Sequence, residues 1–193
     1  MNWNFARGQW AMDGLTYAYT YRFPETPVFR QLDDCIANSE NGSSAQGFDN
    51  ITLLTKEKLL PGTRIVTECS FDHFGAPLVT IAENLIPDEN GNMRFGNYIE
   101  VVVYENGVNV WRMYYKEGKV TWDCLLSVEF PLKEKKIHVL SVEILKEKLI
   151  IFANEHKMTL HVNDLYPSFH VGINACEGIN RFYSMEIEGA KEA

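Results

Sequence analysis

The sequence predicts an all-β fold, a single domain built as a two-sheet antiparallel sandwich of jelly-roll type. Three observations lead there. Short segments of alternating or apolar character follow one another at close spacing, separated by Gly, Asn and Pro turns. No long window repeats its apolar residues at the helical spacing. Asn106-Gly107 divides two alternating runs and is a strong hairpin signal, because both central residues of a type I′ turn need positive φ. The chain has 193 residues, 46% of them hydrophobic, which suits one core better than two. Residues 1–193 are therefore read as one domain.

Taken in order, Trp10-Ala11-Met12-Asp13-Gly14-Leu15 leads into a strand over 15–22. The stretch 23–48 is the least patterned. It holds Pro24, Pro27 and Asn38-Ser39-Glu40-Asn41-Gly42-Ser43-Ser44, and reads as a long surface loop with a short helix over 29–36. Strands follow over 51–55, 63–73 and 77–83. After a polar loop, Pro87-Asp88-Glu89-Asn90-Gly91-Asn92, a meander is expected over 97–104, 108–115 and 119–130. Five more strands fall at 137–145, 149–154, 157–162, 168–175 and 181–188. Lys146-Glu147-Lys148 stands between apolar Ile144-Leu145 and Leu149-Ile150-Ile151 and reads as a hairpin turn.

The meander can be put in register. With Asn106 and Gly107 as the loop residues, Glu105 faces Val108, Tyr104 faces Asn109, Val102 faces Trp111, Glu100 faces Met113 and Tyr98 faces Tyr115. A turn at Glu117-Gly118 then sets Tyr115 against Val120, Met113 against Trp122 and Trp111 against Cys124. The two-residue strand period divides the side chains between two faces. Ile99, Val101, Val103, Val110, Arg112, Tyr114, Thr121, Asp123 and Leu125 share one, with Arg112 opposite Asp123 as a cross-strand ion pair. Tyr98, Glu100, Val102, Tyr104, Asn109, Trp111, Met113, Tyr115, Val120, Trp122 and Cys124 share the other. The first face, aliphatic at its centre, is assigned to the core. The second, aromatic with scattered polar groups, is the candidate ligand face; the reverse assignment is the alternative.

The formal net charge is −8, and no long Lys/Arg run occurs. Nucleic acid and anionic membranes are therefore not expected as partners. No stretch approaches the ~18–20 apolar residues of a membrane helix. Met1-Asn2-Trp3-Asn4-Phe5 lacks a basic region followed by an apolar run, so a cytoplasmic location is expected. Cys35, Cys69, Cys124 and Cys176 lie far apart without CxxC spacing, which favours free thiols over disulfides, zinc or redox chemistry. No metal site or cofactor is expected. Asp88 to Asn92 alternates oxygen-bearing side chains, but an EF-hand would need Gly at 93 and Glu at 99, where Met93 and Ile99 stand. A polar turn is the reading, with calcium in another geometry as its alternative.

A resemblance adds to these readings. His138-Val139-Leu140-Ser141-Val142-Glu143-Ile144, a short turn, and Leu149-Ile150-Ile151-Phe152-Ala153 lead on to Phe169-His170-Val171-Gly172-Ile173-Asn174-Ala175 and Arg181-Phe182-Tyr183-Ser184-Met185-Glu186-Ile187. This cadence resembles the closing strands of the concanavalin A-like lectin/glucanase superfamily, and 10–15 is similar to its first strand. The resemblance implies a jelly roll whose terminal strands lie side by side. It carries no diagnostic motif, and the superfamily holds lectins, glycoside hydrolases, carbohydrate-binding modules and proteins that bind no sugar.

Three functions follow as expectations. The first is recognition of a saccharide partner on one sheet face, where aromatic rings stack on the sugar and polar groups bond its hydroxyls. Tyr98, Glu100, Tyr104, Asn109 and Trp111 have this chemistry, joined across a curved sheet by His170, Asn174, Glu177 and Arg181. The second is glycoside hydrolysis, which needs two flanking carboxylates. Glu68, Glu83 and Glu100 are the candidates, although no Glu-x-Asp-x-Glu strand occurs and Glu186-Ile187-Glu188 reads as a solvated edge. The third is protein interaction, including homo-oligomer formation, through the aromatic face.

Overall fold

The computed structural model describes residues 1–20, 28–38, 51–116 and 119–191, apart from the Lys116 side chain. The described residues form strands and no helix. In chain order the strands are β1 (Asn2–Asn4), β2 (Leu15–Thr20), β3 (Arg30–Gln31), β4 (Ile36–Ala37), β5 (Ile51–Thr55), β6 (Thr63–Asp72), β7 (Ala76–Ala82), β8 (Leu85–Pro87) and β9 (Met93–Phe95). They continue with β10 (Tyr98–Tyr104), β11 (Gly107–Lys116), β12 (Lys119–Glu129), β13 (His138–Ile144), β14 (Lys148–Ala153), β15 (His156–His161), β16 (His170–Cys176) and β17 (Ile179–Glu188). Residues 21 and 22 of the first predicted strand, most of the 23–48 loop and the Glu117-Gly118 turn lie outside the described residues.

Two sheets result. One runs β15-β14-β13-β6-β17-β4-β3, with β1 also on β17; the other runs β12-β11-β10-β7-β16-β5-β2-β9-β8. Among the described residues all pairings are antiparallel except β2 with β9. Strict alternation sends Val79 and Ile81 of β7, Ile99, Val101 and Val103 of β10, and Val171 and Ile173 of β16 into one core. They meet Ile65, Leu140, Val142, Ile151, Phe182 and Ile187 of the facing sheet. The architecture is the expected two-sheet jelly-roll sandwich.

Two local expectations are corrected. The 29–36 segment is not helical: β3 and β4 form a minimal hairpin, with Arg30 opposite Ala37. Its turn is held by the Gln31 side chain, whose Nε2 donates to the Phe5, Leu32 and Cys35 carbonyls at 2.8, 2.8 and 3.1 Å. These bonds reward a tight turn more than a helix would. The terminal strands do lie side by side, but the N-terminal partner is β1, with Trp3 opposite Met185, and not 10–15. That segment leads into β2 of the other sheet.

None of the four cysteines is in a disulfide. Cys35 and Cys69 are buried, and burial is the main cause that pushes both thiols up to about 12. Asp88 spends its carboxylate on its own loop. Its Oδ1 accepts from the Asn90 and Asn92 amides, both at 2.8 Å, and its Oδ2 accepts from the Tyr19 hydroxyl at 2.8 Å. The Tyr19 bond is the first cause of a lowered Asp88 pKa. This is an Asx-type turn, and among the described residues no group of three His, Cys, Asp or Glu could hold a metal ion.

Candidate functional site

The site grows out of the β10-β11-β12 meander. The observed register sets Tyr98 against Met113, Glu100 against Trp111 and Val102 against Asn109. On the other side of β11, Trp111 faces Cys124 and Met113 faces Trp122, as predicted. The β10–β11 pairing is thus displaced from its predicted register by two residues. The turn residues are Glu105 and Asn106, and Gly107 opens β11 with φ of 135°. A Cβ on Gly107 would stand 2.0 Å from the Val128 carbonyl oxygen. The glycine serves a close approach to β12 as well as a turn. A displacement of two preserves the parity of every side chain, so each face keeps its predicted members. A bulge opposite Val110 and Trp111 makes Leu125 the extra residue of β12.

On the outward face the side chains form rows across the sheet. One row is Gly172, Thr80, Glu100, Trp111 and Cys124; the next is Asn174, Leu78, Val102, Asn109 and Ser127. A third row, His170, Ala82, Tyr98, Met113 and Trp122, borders them. Part of this face is covered by packing. Phe95, with Leu85 and Met93, packs on Ala18, Leu54, Ala82, Tyr98 and Met113. The uncovered part is a groove of about 510 Å³, within the range of small-ligand sites. Leu78, Glu100, Val102, Asn109, Trp111 and Trp122 line it from the sheet. The residues lining its end are Tyr104 and Glu105, Phe74 to Ala76, and Cys176 with Glu177.

Two turns at that end cross between the sheets, 73–75 from β6 to β7 and 177–178 from β16 to β17. They interlock. A Cβ on Gly75 would lie 2.3 Å from the Ile179 carbonyl oxygen, and one on Gly178 would lie 2.3 Å from that of His73. His73, Phe74 and Glu177 hold φ of 50°, 62° and 55°, the left-handed region that costs side-chain-bearing residues energy. Buried amides pin the corner: Asn180 Nδ2 donates to the Cys176 and Glu177 carbonyls at 3.1 and 2.7 Å, and Asn38 Nδ2 to that of Gly178 at 3.0 Å. Behind it Arg181 Nη1 pairs with Asp72 Oδ2 at 3.1 Å, the Asp72 side chain being 5% exposed. Asp72→Ala would strand the guanidinium of a mostly buried pair, and a loss of about 3 kcal/mol is expected in urea unfolding.

The groove therefore gathers Glu100, Tyr104, Asn109, Trp111 and Glu177 of the predicted ligand residues. It does not gather the other four. Tyr98 is 1% exposed, edge-on to Phe95 and Trp122 at 5.0 and 5.9 Å. His170 is buried in the adjoining row, with Nδ1 2.9 Å from the Thr55 carbonyl oxygen. Asn174 is wholly buried beside Leu78. Arg181 sits in the other sheet, behind the corner. The carboxylate candidates do not converge. Glu68 lies exposed in the facing sheet, accepting from Ser184 Oγ at 3.0 Å. Glu83 accepts from Asn97 Nδ2 at 2.8 Å and lines a separate cleft with Arg112, Asp123 and Tyr166. Arg112 is opposite Asp123 as predicted, but its guanidinium donates to the Asn163 and Asp164 carbonyls at 3.2 and 3.0 Å. Glu186 and Glu188 are exposed on β17, an interior strand and not an edge.

Phe74 is the residue that strand logic missed, since it belongs to a turn. It is 75% exposed, a large apolar ring held in a costly backbone conformation on the groove rim. Phe74→Ala removes little buried surface. Stability within about 0.5 kcal/mol of the parent is expected, together with a several-fold loss of ligand affinity. A large stability loss without an affinity loss would assign Phe74 to the fold instead.

The fold is that of the lectin/glucanase jelly rolls. No protein-family model and no curated protein matches the chain. Among solved structures, it is similar to the carbohydrate-binding module CBM66 from Bacillus subtilis, at 13% identity and a TM-score of 0.62, over 91% of this chain and 96% of that one. It is similar to β-agarase A from Zobellia galactanivorans at 9% identity and a TM-score of 0.67, over 97% of this chain and 89% of that one. A third similar structure comes from work on endo-acting O-glycanases of the human gut microbiota, at 11% identity and a TM-score of 0.64, over 98% of both chains. At these identities the likeness shows the fold.

Proposed function

We propose that this chain recognises a saccharide in the groove on the outward face of the β12-to-β8 sheet, without cleaving it. The observation that carries the reading is the composition of the groove. Trp111, Trp122, Tyr104 and Phe74 offer flat apolar surfaces, interspersed with Glu100, Asn109 and Glu177 as hydroxyl partners. Asn109 Oδ1 is buried and makes no hydrogen bond among the described residues, so its amide has unused capacity that a ligand hydroxyl or water would meet. The fold neighbours include a carbohydrate-binding module and an agarase, which supports this ligand class.

Binding is favoured over hydrolysis by the neighbourhood of Glu100. On its own face it adjoins Tyr98 and Val102 along β10, and Thr80 and Trp111 across. None is acidic, and the other two carboxylates of the groove, Glu105 and Glu177, belong to the turns at its end, whereas a glycosidase needs two carboxyl groups about 5–10 Å apart around the scissile bond. The test is calorimetry against a panel of oligosaccharides, followed by a reducing-end assay on any that bind. Binding with no new reducing ends is the expected result. New reducing ends at a steady rate would make the protein a hydrolase, and no binding with a stable oligomer in light scattering would favour the interaction reading.

A further inference from the structure

Resting on that reading, we infer that Asn180 is a positioning residue for the groove, a side chain outside it that fixes where Phe74 and Glu177 stand on its rim and so sets its affinity for saccharide. The two rim residues belong to turns distant in sequence, and Asn180 touches both turns. It is wholly buried at the start of β17 and is not among the described residues that line the groove. Its Nδ2 donates to the Cys176 and Glu177 carbonyls at 3.1 and 2.7 Å. Both bonds use the amino end of the amide. The carbonyl end is turned to the other turn, where a Cβ on Gly75 would stand 3.0 Å from Asn180 Oδ1. Phe74 immediately precedes that glycine, and Glu177 itself accepts one of the bonds. A single amide therefore spans the gap between the two turns.

The turn at 177–178 depends on this support. Glu177 and Gly178 hold φ of 55° and 47° in succession. The three successive carbonyls of 176, 177 and 178 each accept from a side-chain amide, the third from Asn38 Nδ2 at 3.0 Å. A buried carbonyl without a donor costs free energy, and the left-handed backbone at Glu177 adds to the cost. Asn38 in turn holds Asn180: its Oδ1 accepts from the Asn180 backbone N–H at 2.7 Å, and its own N–H donates to the Asn180 carbonyl at 3.3 Å. Space is equally tight. A Cβ on Gly178 would lie 2.4 Å from the Gly75 nitrogen, so a shift of one turn carries to the other. Without the Asn180 amide the 177–178 turn relaxes, and Phe74 and Glu177 lose their common geometry.

The experiment uses Asn180→Asp in the whole chain, which keeps the shape of the side chain and removes the donor that both carbonyls need. Calorimetry with length-matched oligomers of glucose, galactose and glucosamine gives the affinity, urea unfolding checks the fold, and amide NMR of the free protein reports on the turns. On the oligomer the parent binds most tightly, the expected loss is about fivefold. In a background without the rim side chains, Phe74→Ala with Glu177→Ala, the same substitution is expected to change affinity less than about twofold. In the free protein, amide shifts are expected in both turns, 73–75 and 177–178. Should Asn180→Asp not fold, Asn38→Ser, which withdraws the donor from the Gly178 carbonyl, is expected to give the same pattern. Asn154→Ala is the control: its amide bonds His138 and Val139 on the facing sheet, both at 3.0 Å, and affinity is expected to stay unchanged. An unchanged affinity in Asn180→Asp, or a loss as large without the rim side chains as with them, would overturn the positioning role and leave the saccharide reading standing. Absence of binding by the parent to all three oligomers, and to the wider panel, would overturn the saccharide reading itself. The free-protein shifts then decide the positioning claim alone, and shifts confined to 177–178 would overturn it.

Discussion

Replacing Trp111 by alanine is expected to weaken saccharide binding about thirtyfold while the protein stays folded. Trp111 points outward from β11, between Glu100 of β10 and Cys124 of β12, and is partly exposed in the groove. Among the described residues it belongs to neither packed cluster of the sandwich. Its indole is therefore available as a flat apolar platform, the kind of anchor whose truncation typically costs about 2 kcal/mol, or roughly thirtyfold in Kd. Trp111→Phe keeps a smaller ring and should retain part of the affinity. Calorimetry reads the first effect, and an unchanged urea midpoint shows that the fold is intact. A loss of less than about threefold on a good ligand would remove Trp111 from the site.

The largest effect on stability is expected at Gly172, which has no contact with ligand in this account. In β16 it pairs with Leu54 of β5 and Thr80 of β7. A Cβ there would fall 1.9 Å from the Leu53 carbonyl oxygen and 2.9 Å from its carbon. Both atoms are backbone in the middle of a paired strand, so relief requires separating β16 from β5 and losing ladder bonds. Overpacking of a yielding core costs about 1–3 kcal/mol. With backbone as the obstacle, Gly172→Ala is expected to cost about 3 kcal/mol or more, read from the urea midpoint. Gly96→Ala is the control: its Cβ would meet nothing closer than 3.9 Å, and a change within about 0.5 kcal/mol is expected.

What the sequence could and could not convey follows from these residues. The meander was legible because a half-buried strand advertises its two faces by alternation. Even with the hairpin displaced by two residues, the groove side chains Glu100, Tyr104, Asn109 and Trp111 fell on the right side. The register itself was not legible, because Gly107 fits a turn and a close strand approach equally well. His170 and Asn174 have the right parity, but the sequence does not show that Phe95 and its neighbours cover much of the same face. Arg181 looked like a ligand residue from its place beside Glu177, yet the chain changes sheets between them. The corner carrying Phe74 was invisible for the same reason: two turns distant in sequence interlock at Gly75 and Gly178, and alternation says nothing about turns.

The most direct test of the saccharide groove is amide and indole NMR of the labelled protein, titrated with an oligosaccharide that calorimetry shows to bind. The expected result is a contiguous set of shift changes at the indole N–H groups of Trp111 and Trp122, the Asn109 side-chain amide and the backbone of 74–76 and 177–178. Shift changes centred instead on the cleft of Arg112 and Tyr166, or on the facing sheet around Glu68, would contradict the account.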